Sequence, residues 1–502
     1  MLTLYGVLIL GAVTTIYPFL LMATTGFKGP TDQNDNKLIP AFWNDRDELE
    51  KKYLTDKYAG DVAQIESTRI GLDSPPDLVR QYEAFLDQLP PQYWAAAFRT
   101  PAGQVTSKLT LRYQAWLRGR FRTIDELNRV YLEENVAFQT VAPPAELPER
   151  KNWTGRTGPK YDDWLLFKQT LPAEFRIPVR EQRMYQEYLR SKYQGQIGEA
   201  LPEERGGADK IESVPLPPRG SPSYEQFRRA ALPERYRQGA AEVLWTRWLK
   251  ERAPELPLSP LPIAAYEQSF VGKQAEPIKR EFNTRNYRYV LDYILLNGRA
   301  LWNTAIFCGL LILTHLIVNP LAAYALSRYP IKASLKILLF LLATMAFPAE
   351  VAMIPSFLLL KDLGLLNTFA ALILPIAASG YMIFLLKGFF DSLPQEVFDS
   401  GQIDGASDLK MMLRIAMPLS KPVLGYIALM AFMSAYGAFL YAFLVAQDQR
   451  MWTLMVWIYQ LQQSAPKAVM MAALTLAAVP TLVVFLLAQR VIMRGIVLPG
   501  ER

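Results

Sequence analysis

The 502-residue sequence contains one cysteine and one histidine. A single thiol, Cys308, forms no internal disulfide, so a disulfide-stapled scaffold is excluded, although an oxidising compartment is not. A single imidazole, His315, removes most metal-site and Ser-His-Asp readings. No Gly-x-x-x-x-Gly-Lys-Ser/Thr run occurs, so the chain has no P-loop with which to bind ATP itself. The formal charge of +7 comes with no lysine-arginine tract, which argues against a phosphate-binding face and a nucleic-acid partner. No catalytic or metal-ligating constellation emerges.

What is present is an uneven distribution. A mean hydropathy of +0.06 resembles that of a soluble protein, yet residues 28–298 hold 40 of the 54 Lys+Arg and 38 of the 47 Asp+Glu. The remainder is mostly long apolar runs. Crossing a hydrocarbon core takes roughly 20 apolar residues in a helix, and six segments qualify: residues 2–23, 301–326, 335–360, 369–390, 422–446 and 468–493. The first has no positively charged n-region and is longer than a usual signal-peptide h-region, so it is expected to remain as a span.

Basic residues in the short loops set the orientation, because Lys and Arg near span ends stay preferentially in the cytoplasm. One side carries Arg328, Lys332, Lys336, Lys387, Lys410, Arg414, Lys421, Arg490, Arg494 and Arg502; the other carries Lys361, Arg450 and Lys467. The first side is expected to be cytoplasmic. Six crossings then put both termini inside and residues 28–298 outside.

Residues 391–421 form a cytoplasmic loop containing Leu393-Pro-Gln-Glu396-Val-Phe-Asp399-Ser400-Gly401-Gln-Ile403-Asp404-Gly405-Ala406-Ser407. Two short helices with a turn at Asp404-Gly405 are predicted, with Ser407 and Asp408 capping the second. Leu409, Met412, Leu413 and Met417 then recur at helical spacing. The loop resembles the coupling, or EAA, loop of permease subunits of type I ATP-binding-cassette importers, in particular the smaller inner-membrane subunit of the maltose-type carbohydrate family. Ile403-Asp404-Gly405-Ala406 matches its Ile-Asp-Gly-Ala, and Ile415, Pro418 and Pro422 fit the pattern downstream; Asp399-Ser400-Gly401 stands in place of Glu-Ala-Ala. Further likeness lies in Tyr17-Pro18-Phe19-Leu20, Thr25-Gly26-Phe27-Lys28, Asn303, Ala322-Ala-Tyr-Ala-Leu-Ser-Arg328, Phe347-Pro-Ala-Glu-Val-Ala-Met-Ile-Pro355 and Leu363-Gly-Leu-Leu-Asn-Thr368.

The resemblance implies an all-α integral membrane protein of six transmembrane helices, but the family's first external loop is much shorter than the charged segment here; the expected division is a first span at 1–27, an inserted domain at 28–298 and a permease core at 299–502. It implies a lipid bilayer, a second homologous permease subunit, two ATPase subunits that bind ATP and Mg, and an extracytoplasmic substrate-binding protein as partners. The coupling residues would be Glu396, Asp399, Ser400, Gly401, Ile403, Asp404, Gly405, Ala406, Ser407, Leu413, Ile415 and Pro418, with Leu413 and Met417 as apolar anchors.

Candidates for the translocation path are Glu350, an acid inside an apolar run, and the aromatics Tyr436 and Tyr441, whose faces and hydroxyls suit sugar rings. Each has a plainer reading: Glu350 as a buried carboxylate bonded to freed backbone, the tyrosines as packing, and His315 as an interhelical donor. Relatives commonly place Trp-Asn where Tyr436-Gly437-Ala438 stands, which weakens a sugar assignment.

The segment 28–298 is expected to be mainly helical, with three approximate repeats. Tyr82-Glu-Ala-Phe85 precedes Leu89-Pro, Tyr161-Asp-Asp-Trp164 precedes Leu171-Pro, and Tyr224-Glu-Gln-Phe227 precedes Leu232-Pro. Aromatic-Leu-basic elements follow at 113–118, 185–190 and 245–250. Docking of a binding protein is the expected role, with a glycosidase or glycan-binding module as the rival. For the whole chain the rival is a membrane-anchored extracellular binding or sensory protein.

Overall fold

The computed structural model describes residues 2–67, 73–99, 107–135, 138–152, 157–292, 299–344, 348–463 and 465–493. The chain divides into two compact units, one formed by Met1–Phe27 with Thr284–Arg502 and the other by Lys28–Asn283. Phe347, Arg494, Arg502 and the expected boundary at 298 lie outside the described residues.

In the Lys28–Asn283 unit one local plan occurs three times. Helices Pro76–Gln88, Pro159–Gln169 and Pro222–Ala230 each begin with proline, whose fixed φ and missing N–H suit a first helical position. Each ends just before a Leu-Pro pair, since the residue ahead of proline is driven out of the helical region. A 3-10 turn follows, at Pro91–Tyr93, Ala173–Phe175 and Glu234–Tyr236. The second helices are Lys108–Arg120, Glu181–Lys192 and Ala241–Arg252.

The first two copies add strands β1 (Trp94–Ala96) and β2 (Arg176–Pro178), antiparallel with Ala95 opposite Ile177. The third copy joins their end through Ala241 N–H to Val179 O, 3.0 Å.

Aromatic contacts show how the copies interlock. Tyr113 of the first packs on Phe167 of the second, with centroids 5.1 Å apart; Tyr185 of the second packs on Phe227 of the third at 5.3 Å; Trp245 of the third packs on Phe85 of the first at 5.3 Å. Each second helix therefore covers the next copy's first helix, and the third returns to the first. The three copies close into a ring. Half-buried Trp116, Tyr188 and Trp248 repeat the same relation one turn on, at 5.9, 5.8 and 5.9 Å. In the second copy the buried pair equivalent to Tyr82 and Phe85 is Trp164 and Phe167, three residues later than the spacing of Tyr161 suggests.

Two buried cations inside the ring, Lys168 and Arg176, bond to carbonyls and a carboxylate. Lys168 Nζ donates to Glu146 Oε1 at 2.9 Å and to the carbonyls of Pro91 and Trp94 at 2.9 and 2.8 Å. Burial drives the Glu146 carboxyl up, but Lys168 and Arg99 outweigh it and hold the group below its ordinary range. Arg176 reaches the carbonyls of Leu86 and Asp87 at 2.7 Å and so closes the end of the Pro76 helix.

The second unit is built around the 29-residue helix Ala300–Arg328. It packs against Gly380–Asp391 and Lys421–Gly437, while Leu2–Thr25 packs against Lys467–Met493. By length and composition three described helices can cross a membrane, within Thr3–Thr25, Ala300–Arg328 and Lys467–Gln489, or up to five if each bent pair counts as one span.

The other expected spans are interrupted. Residues 335–360 fall on two helices, Ser334–Thr344 and Ala349–Asp362. Residues 369–390 fall on Phe369–Ile376 and Gly380–Asp391, bent by 54°. Residues 422–446 fall on Lys421–Gly437 and Leu440–Val445.

Polar side chains on the Ala300 helix hold one of these interruptions and a later irregular segment. His315 Nε2 donates to Ile376 O at 2.7 Å, and Asn319 Oδ1 accepts from Ser379 N–H at 3.0 Å. One turn apart, they satisfy a carbonyl and an amide on the two sides of the 54° bend. Asn303 Nδ2 donates to Arg450 O and Trp452 O at 2.8 and 3.0 Å, and Thr304 Oγ1 accepts from Leu454 N–H at 2.8 Å. The bend at residues 376–379 falls within an expected span, where hydrocarbon would leave such backbone groups no water to fall back on.

Candidate functional site

The loop between the Gly380 and Lys421 helices folds into a helical hairpin. Helix Gln395–Ile403 ends at Asp404, and Gly405 adopts φ +72°. Ala406 N–H bonds to Gly401 O at 2.9 Å and Gly405 N–H to Gln402 O at 3.0 Å. These are the two bonds of a Schellman cap, in which the left-handed position favours glycine.

The chain then returns through Asp408–Met411, a π-turn at Met412–Ala416 and Met417–Leu419. Asp408–Leu419 meets Lys421–Gly437 at 86°. A methyl on Gly401 would lie 3.2 Å from Ile415 Cδ1 and 3.4 Å from Met411 Sδ, so the small residue brings the two arms close.

The inner face is apolar: Phe398, Met411, Met412 and Ala416 are buried with Tyr324, Leu386 and Phe390. The outer face is also partly apolar. Ile403 is 86% exposed, and Leu409 and Leu413 are 57% and 51% exposed. Leu413 therefore points away from the buried cluster, whereas Met417 is half-buried on it.

Glu396, Asp399, Ser400, Asp404, Gly405, Ser407 and Pro418 are exposed, and Ala406 and Ile415 half-buried. Ser407 occupies the cap position but its hydroxyl makes no capping bond. Asp408 instead accepts from Tyr329 Oη at 2.7 Å.

The base of the hairpin is tied by Arg328. Nη1 donates to Gln395 Oε1 at 2.8 Å, Nη2 to Phe390 O at 2.6 Å, and the guanidinium carbon lies 3.7 Å from the centre of the Phe398 ring. Ser327 Oγ adds a bond to Asp391 Oδ1 at 2.7 Å.

The three path candidates are not linked by hydrogen bonds among the described residues. Glu350 is exposed in the first turn of Ala349–Asp362, where an acid suits the positive end of the helix, and not in the buried setting expected of it. Tyr436 is buried, donates to Ala477 O at 2.5 Å and stacks on Phe432. Tyr441 donates to Ala371 O at 2.8 Å. Both hydroxyls thus brace helices. Among the described residues no group of three or more His, Cys, Asp or Glu is placed to hold a metal.

Residues 300–497 match the family described as the binding-protein-dependent transport system inner membrane component. The trehalose/maltose transport system permease protein MalG of Thermococcus litoralis is 32% identical over 238 residues, covering 46% of this chain and 85% of that protein. The chain belongs to this family.

A second relative, the sn-glycerol-3-phosphate transport system permease protein UgpE of Rhizobium meliloti, is 30% identical over 40% of this chain and 72% of its own length. Among solved structures, a bacterial ABC transporter involved in import of the acidic polysaccharide alginate aligns with a TM-score of 0.37 and 26% identity, over 41% of this chain and 78% of that one.

The chain is thus a multi-pass inner-membrane component of a binding-protein-dependent ABC importer, working with other transporter components and not as an enzyme. The Lys28–Asn283 unit lies outside the residues matched to the family.

In this permease the sequence alone does not mark the residues that organise the hairpin's base. In the sequence Arg328 stands out as a topology signal and as the end of the Ala322–Arg328 likeness, not as a tie to the hairpin, and Tyr329 carries no signal of its own. The one available hint was an arginine placed directly at a span end, followed by an aromatic.

Proposed function

We propose that this permease forms half of the path by which a carbohydrate or related solute is imported, and that the hairpin Gln395–Leu419 couples it to a separate ATPase subunit. The observation that carries the reading is the exposed apolar tip on a capped hairpin: Ile403, Leu409 and Leu413 face outward while Phe398, Met411 and Met412 fix the inner face. A rigid knob with a bare apolar surface suits a cleft in a partner. ATP and Mg would bind on that partner, with a second permease subunit completing the path and a binding protein delivering the solute.

The proposed arrangement has six crossings, both termini and the hairpin in the cytoplasm, and residues 28–298 outside. The named cargoes of the two relatives, trehalose or maltose and sn-glycerol-3-phosphate, support a polyhydroxylated solute. With the hydroxyls of Tyr436 and Tyr441 bonded to carbonyls, Glu350 remains the acid free to face the path. The outer unit serves best as a docking platform for the binding protein.

Ile403→Cys tests the coupling assignment. In cells expressing the whole transporter, a bifunctional thiol crosslinker is expected to join position 403 to the ATPase subunit, and impermeant thiol reagents added outside are expected to leave it unlabelled. Labelling from outside, or no ATPase capture, would refute the assignment.

A further inference from the structure

We infer that Arg328 is a positioning residue that locks the hairpin to the long Ala300–Arg328 helix, so that the two move as one body. The inference rests on the coupling reading above and names the joint through which that coupling passes.

Three observations converge on one guanidinium. Its Nη2 bonds to Phe390 O at the C-terminal end of the Gly380 helix, its Nη1 bonds to Gln395 Oε1 at the start of the hairpin, and its plane lies over Phe398 on the hairpin's inner face. Tyr324, one turn earlier, packs edge-on against Phe390 and tilted against Phe398 at 6.1 and 6.4 Å. Tyr329, the next residue, holds the returning arm through Asp408. The end of one helix thus grips both arms of the hairpin and the element leading into it.

Chemistry explains why arginine fits this position. A planar, delocalised cation with divergent N–H groups can stack on a ring and donate in two directions at once, which a lysine ammonium cannot. Carbonyls near a helix C-terminus favour a cation. At its other turns the same helix holds residues 376–379 through His315 and Asn319, and residues 450–454 through Asn303 and Thr304. A displacement at the hairpin therefore has one stiff element along which to reach the irregular segments.

The test uses the full chain in lipid nanodiscs with nitroxide labels at Ile403→Cys and Leu313→Cys, both exposed positions, in a Cys308→Ala background. Pulsed dipolar spectroscopy is expected to give a narrow distance distribution with Arg328 present. Arg328→Ala and Arg328→Lys should each widen it at least twofold, and Phe398→Leu added to Arg328→Ala should widen it no further.

Arg328→Lys keeps the charge and provides the reading if the alanine variant does not fold. A role in stability alone would lower the melting temperature and leave the width unchanged. An unchanged width in a folded Arg328→Lys protein overturns the inference. Crosslinking of Ile403→Cys to the ATPase, read in the wild-type background, reports on the coupling assignment separately.

Discussion

Gly405 offers a perturbation whose cost can be worked out from geometry alone. A β-carbon at this position would meet nothing within 4 Å, so a substitution brings no clash and acts only through φ +72°. An L-residue in the left-handed region costs about 1–2 kcal/mol, and a β-branched one is a stronger outlier. If the turn opens to relieve the strain, the two cap bonds from Gly405 and Ala406 are lost, each worth about 0.5–1.5 kcal/mol net.

A series is therefore expected. Gly405→Asn should be nearly silent because asparagine tolerates this region, Gly405→Ala should cost about 1–2 kcal/mol, and Gly405→Val should cost more than about 2 kcal/mol. At about 1.4 kcal/mol per decade, the valine variant populates the native turn at least tenfold less relative to open forms. Crosslink yield from Ile403→Cys to the ATPase should fall in the order Gly, Asn, Ala, Val while the amount of inserted protein stays constant. Equal yields from glycine and valine would refute the argument that the turn's conformation orients the tip.

Trp245→Ala should cost about 3–5 kcal/mol as a buried aromatic is lost. Hydrogen exchange should then accelerate in Pro76–Gln88 as well as in Ala241–Arg252; acceleration confined to the second helix would count against ring closure. Burial raises the Glu149 carboxyl to about 7, reinforced by Asp61 and Glu187 and opposed by Arg183 and Arg180. Because this folded value exceeds the ordinary 4.5, the group's contribution is full below pH 4.5 and is lost as pH rises through 7. Glu149→Gln should stabilise the fold at pH 8 by at most about 3 kcal/mol, the side chain being only half-buried, and not at pH 4; equal rises in melting temperature at both pH values would refute this. Asn319→Leu leaves the Ser379 amide without its acceptor and should destabilise the membrane unit by about 1–3 kcal/mol, read as earlier thermal aggregation in detergent, with no change expected for the exposed control Leu313→Ala.

Membrane character was readable in the sequence because it depends on local quantities: apolar run length marks the spans, and a glycine after a short amphipathic stretch marks the Asp404-Gly405 turn. What escaped depends on partners far along the chain. The bend at residues 376–379 sits in an apolar run, and the residues that stabilise it, His315 and Asn319, lie some sixty positions earlier. The same holds for Trp245 and Phe85, whose contact closes the ring across 160 residues of sequence. Within the second copy, Tyr161 and Trp164 both present an aromatic at helical spacing, and only the packing against Tyr113 shows that Trp164 and Phe167 form the buried pair. For the path candidates, the sequence revealed hydroxyls but not the carbonyls that already occupy them.

Closure of the ring has a consequence for how this protein can vary. A linear array of repeats keeps two bare ends and can lengthen by duplication; here every second helix already has a first helix to cover, so a fourth copy would find no vacant edge. Trp43 Nε1 bonds to Asn283 Oδ1 at 2.8 Å, which brings the beginning and end of the same unit together. The connecting loops can vary only where they carry no buried partner such as Glu146, which pairs with Lys168, and the closed ring holds the number of copies at three.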